Sequence, residues 1–180
     1  MGWTTALTAV ANNPLTAGQW NGSVRDNLLE TTPGVAADAR TIFVTAGTNK
    51  IAARYIKDHI VDPAEETAST SYVDLATVGP TVTIETGFSA LVWIKCLCAS
   101  TTTGNARMSY AVSGNTTIAA ADNKARESDG GTGSWSPASS VTNLETALNP
   151  GTNIFTAKYG IFVTAGTATF TNRRIVVMGL

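Results

Sequence analysis

Phe88-Ser-Ala-Leu-Val-Trp-Ile-Lys-Cys-Leu-Cys98 alternates with a two-residue period, and both of its faces are apolar. Side chains alternate across a strand, so Phe88, Ala90, Val92, Ile94, Cys96 and Cys98 fall on one side. Leu91, Trp93 and Leu97 fall on the other, interrupted by Ser89 and Lys95. A sandwich of two sheets buries one face of each sheet, so the second apolar face needs a cover from outside its own sheet. A neighbouring subunit is the simplest cover, which makes Leu91, Trp93 and Leu97 the expected oligomer interface. A loop or the N-terminal helix folded over that face is the alternative.

Period-two runs recur at 81–86, 106–112, 153–163 and 167–178, separated by Gly, Asn and Ser. That rhythm predicts an all-β chain, an antiparallel sandwich or barrel rather than an α/β fold. Composition agrees. Charged residues make up 14% of the 180 residues against a usual ~25%, and threonine, a strand former, is about one residue in six.

One segment has a different period. In Pro14–Glu30 the pair Thr16 and Gln19 has capping-box spacing and Thr31-Thr-Pro-Gly34 supplies a stop, predicting one helix of about 14 residues, ~21 Å long. Trp20, Val24 and Leu28 lie four apart, with Leu29 beside them. The stripe is narrow for a helix sunk in a core and suits one docked on a partner; a helix lying across its own domain is the alternative. With Trp3 in the preceding arm and Arg25 beside the stripe, the expected docking set is Trp3, Trp20, Val24, Arg25 and Leu28.

The heptapeptide Ile-Phe-Val-Thr-Ala-Gly-Thr occurs twice, at 42–48 and 161–167, followed at matching offsets by Arg54/Ile56 and Arg173/Ile175. Both copies are expected to be β-hairpins that turn at a positive-φ glycine, Gly47 and Gly166.

Chemistry is hard to find in the sequence. A formal net charge of -1 gives no footprint for a polyanion, so no nucleic-acid partner is expected. The apolar runs reach about half of the ~20 residues that span a bilayer, and Met1–Val10 has no basic region before an apolar core, so neither a membrane helix nor a signal peptide is expected. The single histidine, His59, has no nucleophile motif around it, and it could meet a metal only if repeated about a threefold axis. Glu65-Glu66 and Asp58/Asp62 read as solvated loop charges, not as a glycosidase pair. Cys96 and Cys98 share one strand face and read as two buried thiols, with no metal pattern. The run Asp129–Trp135 is glycine-rich but has no following lysine and helix; it reads as a loop tip presenting Trp135, an aromatic suited to a sugar or a partner pocket. No cofactor, metal site or catalytic residue is expected, and the chain reads as a non-enzyme.

Leu15-Thr-Ala-Gly-Gln-Trp-Asn with Val24-Arg-Asp-Asn-Leu-Leu29, and the ending Thr167–Leu180 with Ser109–Ala120, together resemble virion proteins from tailed phages of actinobacteria. There a T-A-x-x-(L/W)-N…(L/V)-R-D-N-L segment precedes a fibre, knob or decoration domain. The resemblance implies a trimeric, jelly-roll-like β-sandwich head in the virion, docked on other capsid or tail proteins. Residues 1–33 would be arm and anchoring helix, 34–62 a connector with a hairpin, and 63–180 the head. The absence of a shaft favours a capsid decoration or head protein; a tail fibre protein that binds host surface carbohydrate through Trp135 is the alternative.

Overall fold

A computed structural model of the chain describes residues 12–29, 41–48, 50–101, 104–128, 136–162 and 166–180. Two compact units are distinguished, Met1–Tyr55 and Ile56–Leu180. The helical pieces are α1 (Ala17–Trp20), a π-helical turn (Asn21–Arg25) and α2 (Asp26–Leu29). The strands are β1 (Thr41–Gly47), β2 (Lys50–Val61), β3 (Glu65–Thr67), β4 (Thr81–Thr86), β5 (Ala90–Ser100), β6 (Ala106–Gly114), β7 (Arg126–Glu127), β8 (Ser136–Glu145), β9 (Gly151–Ile161) and β10 (Ala168–Gly179).

In the first unit, the helix starts where the capping box places it. Thr16 Oγ1 accepts from the Gln19 amide at 3.2 Å, and Gln19 Oε1 accepts from the Thr16 amide at 2.9 Å, so two of the amides a helix start leaves open are satisfied. Asn21–Arg25 then widens into a π turn, in which the Asp26 amide bonds Asn21 O five residues back. The proposed stop at 31–34 lies outside the described residues. β1 and β2 form the expected hairpin, with Ile42 opposite Arg54 and Thr45 opposite Ile51, and Gly47 takes φ 142° at its turn.

The second unit is an antiparallel β-sandwich. Its larger sheet runs β2-β10-β5-β8, with β3 added along β10, and its smaller sheet runs β4-β9-β6-β7. The inner face of β5 is buried, as its alternation requires: Ala90, Val92, Ile94, Cys96 and Cys98 meet Tyr110, Val112, Phe155 and Tyr159 in the core. Each such large apolar side chain contributes about 1.5–3 kcal/mol. Tyr159 packs against Phe170 across the sheets at 4.9 Å between ring centroids, and Tyr110 against Phe155 within the smaller sheet at 6.2 Å.

The second copy of the heptapeptide is not a hairpin, contrary to expectation. β9 ends at Ile161 within the smaller sheet and β10 begins at Ala168 within the larger one, so the copy at 161–167 carries the chain from layer to layer. Gly166 still has positive φ, 132°. The strand edges available to the following strand decide whether it folds back on its predecessor or leaves for another sheet.

β10 also changes parity. Ala168 and Phe170 point inward, then a bulge at 171–174 with Asn172 at φ 51° turns Arg173, Ile175 and Val177 inward instead. One extra residue swaps which side chains face the core, and asparagine tolerates the left-handed conformation. The bulge buries Arg173 completely.

Two smaller expectations are corrected, and one strand carries no signal in the sequence. Phe88 is 73% exposed and precedes β5 rather than sharing its inner face. Glu65 and Asp58 lie on strands and carry ion pairs, to Arg173 and Arg174, so they are not loop charges. β8, a sheet edge rich in serine and threonine, has no sequence periodicity that marks it as a strand.

Candidate functional site

The outer face of the larger sheet follows directly from strand register. Ile56, Met178, Leu91 and Leu144 lie side by side across β2, β10, β5 and β8, and Val176 and Trp93 occupy the middle of the next row. Ile56 and Leu144 at the ends of the first row are 49% and 56% exposed, whereas Leu91, Trp93, Val176 and Met178 are half-buried by one another. Around the band stand polar groups: Asp58 paired with Arg174 at 2.8 Å, then Lys95, Ser140 and Thr142. Leu97 is set apart from Trp93 by Lys95 and lies opposite Thr171. Register thus joins Leu91 and Trp93 to four apolar partners that lie far apart in sequence, and leaves Leu97 outside the band.

On the helix, Trp20 and Leu28 are 56% and 59% exposed and Val24 is half-buried. The i→i+5 pattern between them counteracts the drift that an α-helix gives residues four apart, so the stripe stays on one side. Arg25 is exposed and pairs with Asp26 at 2.8 Å. Trp3 and Trp135 lie outside the described residues.

Polar side chains close the open sides of the sandwich. At the β2 side the inward residues are Lys57 and His59: Lys57 Nζ donates to Thr83 O at 3.1 Å, and His59 Nδ1 accepts from the Thr81 amide at 2.9 Å. His59 therefore serves as a stitch between the edges of two sheets. Arg107 lies between the Tyr72 and Phe162 rings, 5.1 and 5.2 Å from their centroids, and pairs with Asp122. Arg126 donates to Cys98 in the core. Cys96 and Cys98 are free and buried. The hydrogen bond to Cys98 and burial push the Cys96 pKa well above its ordinary value. Among the described residues, no group of three or more His, Cys, Asp or Glu could hold a metal ion, and no helix is long and apolar enough to cross a membrane.

These features define the chain as an antiparallel β-sandwich with an apolar outer sheet face. No family model and no curated protein matches it. Among solved structures it is similar to the VP2 subviral particle of infectious bursal disease virus, at 14% identity and a TM-score of 0.43 over 77% of this chain and 38% of that one. The Gx strain structure of the same virus aligns at 13% identity and a TM-score of 0.35, over 75% and 35%. This chain thus spans little more than a third of the length of these proteins, and the likeness extends to no shared role.

Proposed function

We propose that the chain is a structural protein of a tailed-phage virion: a homotrimeric capsid decoration or head protein, joined through the outer face of its larger sheet and attached to the particle by its N-terminal helix. The observation that carries this is the band Ile56–Met178–Leu91–Leu144 with Val176 and Trp93. An apolar centre inside a rim of charged and hydroxyl groups is the anatomy of a protein–protein contact, and an outer sheet face of an isolated sandwich is ordinarily polar. The occupant is a second copy, in keeping with the trimeric heads of the virion proteins that the helix and C-terminal motifs resemble. The exposed Trp20 and Leu28 support attachment to another virion protein.

Sedimentation of the full chain tests the assembly. The parent should run as a trimer, and Leu91→Glu as a folded monomer, because a carboxylate buried without a partner is costly. A monomeric parent, or a trimer that tolerates Leu91→Glu, would refute assembly through this face. Trp20→Ser with Leu28→Ser should leave the trimer intact and abolish its incorporation into particles; immunogold labelling of intact virions distinguishes capsid from tail.

A further inference from the structure

At the side of the sandwich opposite His59, a cavity of about 470 Å³ opens between β8 and the segment 118–124, within the 300–1,000 Å³ range of ligand pockets. Its floor is ionic and largely out of water: Lys124 is 8% and Glu145 9% exposed. Lys124 Nζ donates to Ala119 O at 3.0 Å and sits 4.7 Å from the centre of the Tyr110 ring. Glu145 Oε1 accepts from the Tyr110 hydroxyl at 2.6 Å. The two charges stand 3.7 Å apart, close enough to attract but too far for a hydrogen bond. An ammonium has three hydrogens to donate and a carboxylate about four lone-pair sites, so each keeps bonding capacity beyond the partners just named. Ile118 forms an apolar wall, and Asn143 and Asn123 add amides.

We propose that this cavity binds a neutral pyranose sugar. A neutral hydroxyl can satisfy both floor charges at once, accepting from Lys124 Nζ and donating to Glu145. An anionic ligand would face the Glu145 carboxylate and a cationic one the Lys124 ammonium, each with little water to screen it. The C–H face of a sugar ring suits Ile118, and ring hydroxyls further out meet the asparagine amides. Burial lowers the Lys124 pKa, with Glu145 opposing the shift, so desolvation of the ammonium is already paid before a ligand arrives. This inference does not depend on the virion reading or on Trp135.

The test is titration of the full chain with the methyl glycosides of glucose, mannose, galactose and N-acetylglucosamine, read by saturation-transfer NMR and calorimetry, with glucuronate and glucosamine for comparison. At least one neutral glycoside should bind saturably in the millimolar range, and more tightly than either charged sugar. Glu145→Gln should weaken it by about tenfold or more, the loss of a charge-assisted hydrogen bond. Because Glu145 is buried, Ala147→Phe provides an independent check: Ala147 is exposed at the cavity, and a ring there should abolish binding without lowering the unfolding midpoint. Failure of every neutral glycoside, preference for a charged sugar, or binding that survives Ala147→Phe would overturn the assignment.

Discussion

Replacing Arg173 by methionine keeps most of the side-chain volume and removes the charge, which makes it a sharp test of how the bulge in β10 holds the sandwich edge. Arg173 is fully buried; its Nη1 donates to Glu65 Oε2 at 3.1 Å, its Nη2 to Pro63 O at 3.3 Å, and its guanidinium lies 5.5 Å from the Tyr159 ring centre. Breaking a buried ion pair by removing one member destabilises by about 3–5 kcal/mol. Two features reduce that figure for Arg173→Met. Glu65 keeps the Thr77 amide and hydroxyl as donors, and Arg173 Nε, buried without a partner, is removed along with the charge. The expected loss is therefore at the low end, about 3 kcal/mol, a fall in the unfolding midpoint of roughly 10 °C. Glu65→Gln should be at least as damaging, since it leaves a wholly buried guanidinium unpaired. In urea unfolding, the double variant should lose less than the sum of the two, with a coupling of about 1–3 kcal/mol. A loss below about 0.5 kcal/mol for Arg173→Met, or strict additivity of the two changes, would refute the argument.

The same pair carries a pH dependence. Hydrogen bonding from the Thr77 hydroxyl, more than the charge of Arg173, holds the Glu65 carboxyl below its ordinary value of 4.5, so the stabilisation is present above that value and is lost as pH falls through the lower folded pKa; urea midpoints on acidification should fall more for the parent than for Glu65→Gln. Tyr159→Phe removes the hydroxyl that donates to Gly79 O at 2.9 Å in the core and should cost about 1–3 kcal/mol by leaving that carbonyl unsatisfied, measured by the same unfolding. Thr16→Ala removes one arm of the capping box and should cost the helix about 1 kcal/mol, read as about fivefold faster exchange of the Gln19 amide with no change in the sandwich amides.

The local features were legible because they are set by near neighbours. The Thr16/Gln19 box, the β1–β2 hairpin, the inward face of β5 and the positive φ of Gly47 and Gly166 each depend on a few consecutive residues whose periodicity or backbone freedom is written in the chain. The two-faced alternation of Phe88–Cys98 likewise pointed to Leu91 and Trp93. It could not supply Ile56, Val176, Met178 and Leu144, because strand register is fixed by pairing over long separations. Tertiary structure alone decided that the second Ile-Phe-Val-Thr-Ala-Gly-Thr crosses between layers, since identical residues met different strand edges. It also decided the parity change in β10: an unbroken two-residue period read along 167–178 hides an inserted residue, and the bulge becomes visible only where β5 and β2 hold the strand on either side. The cavity floor is the extreme case. Tyr110, Lys124 and Glu145 carry no motif, and they converge because the smaller sheet and its adjoining segment bring two of them against the edge strand that carries the third.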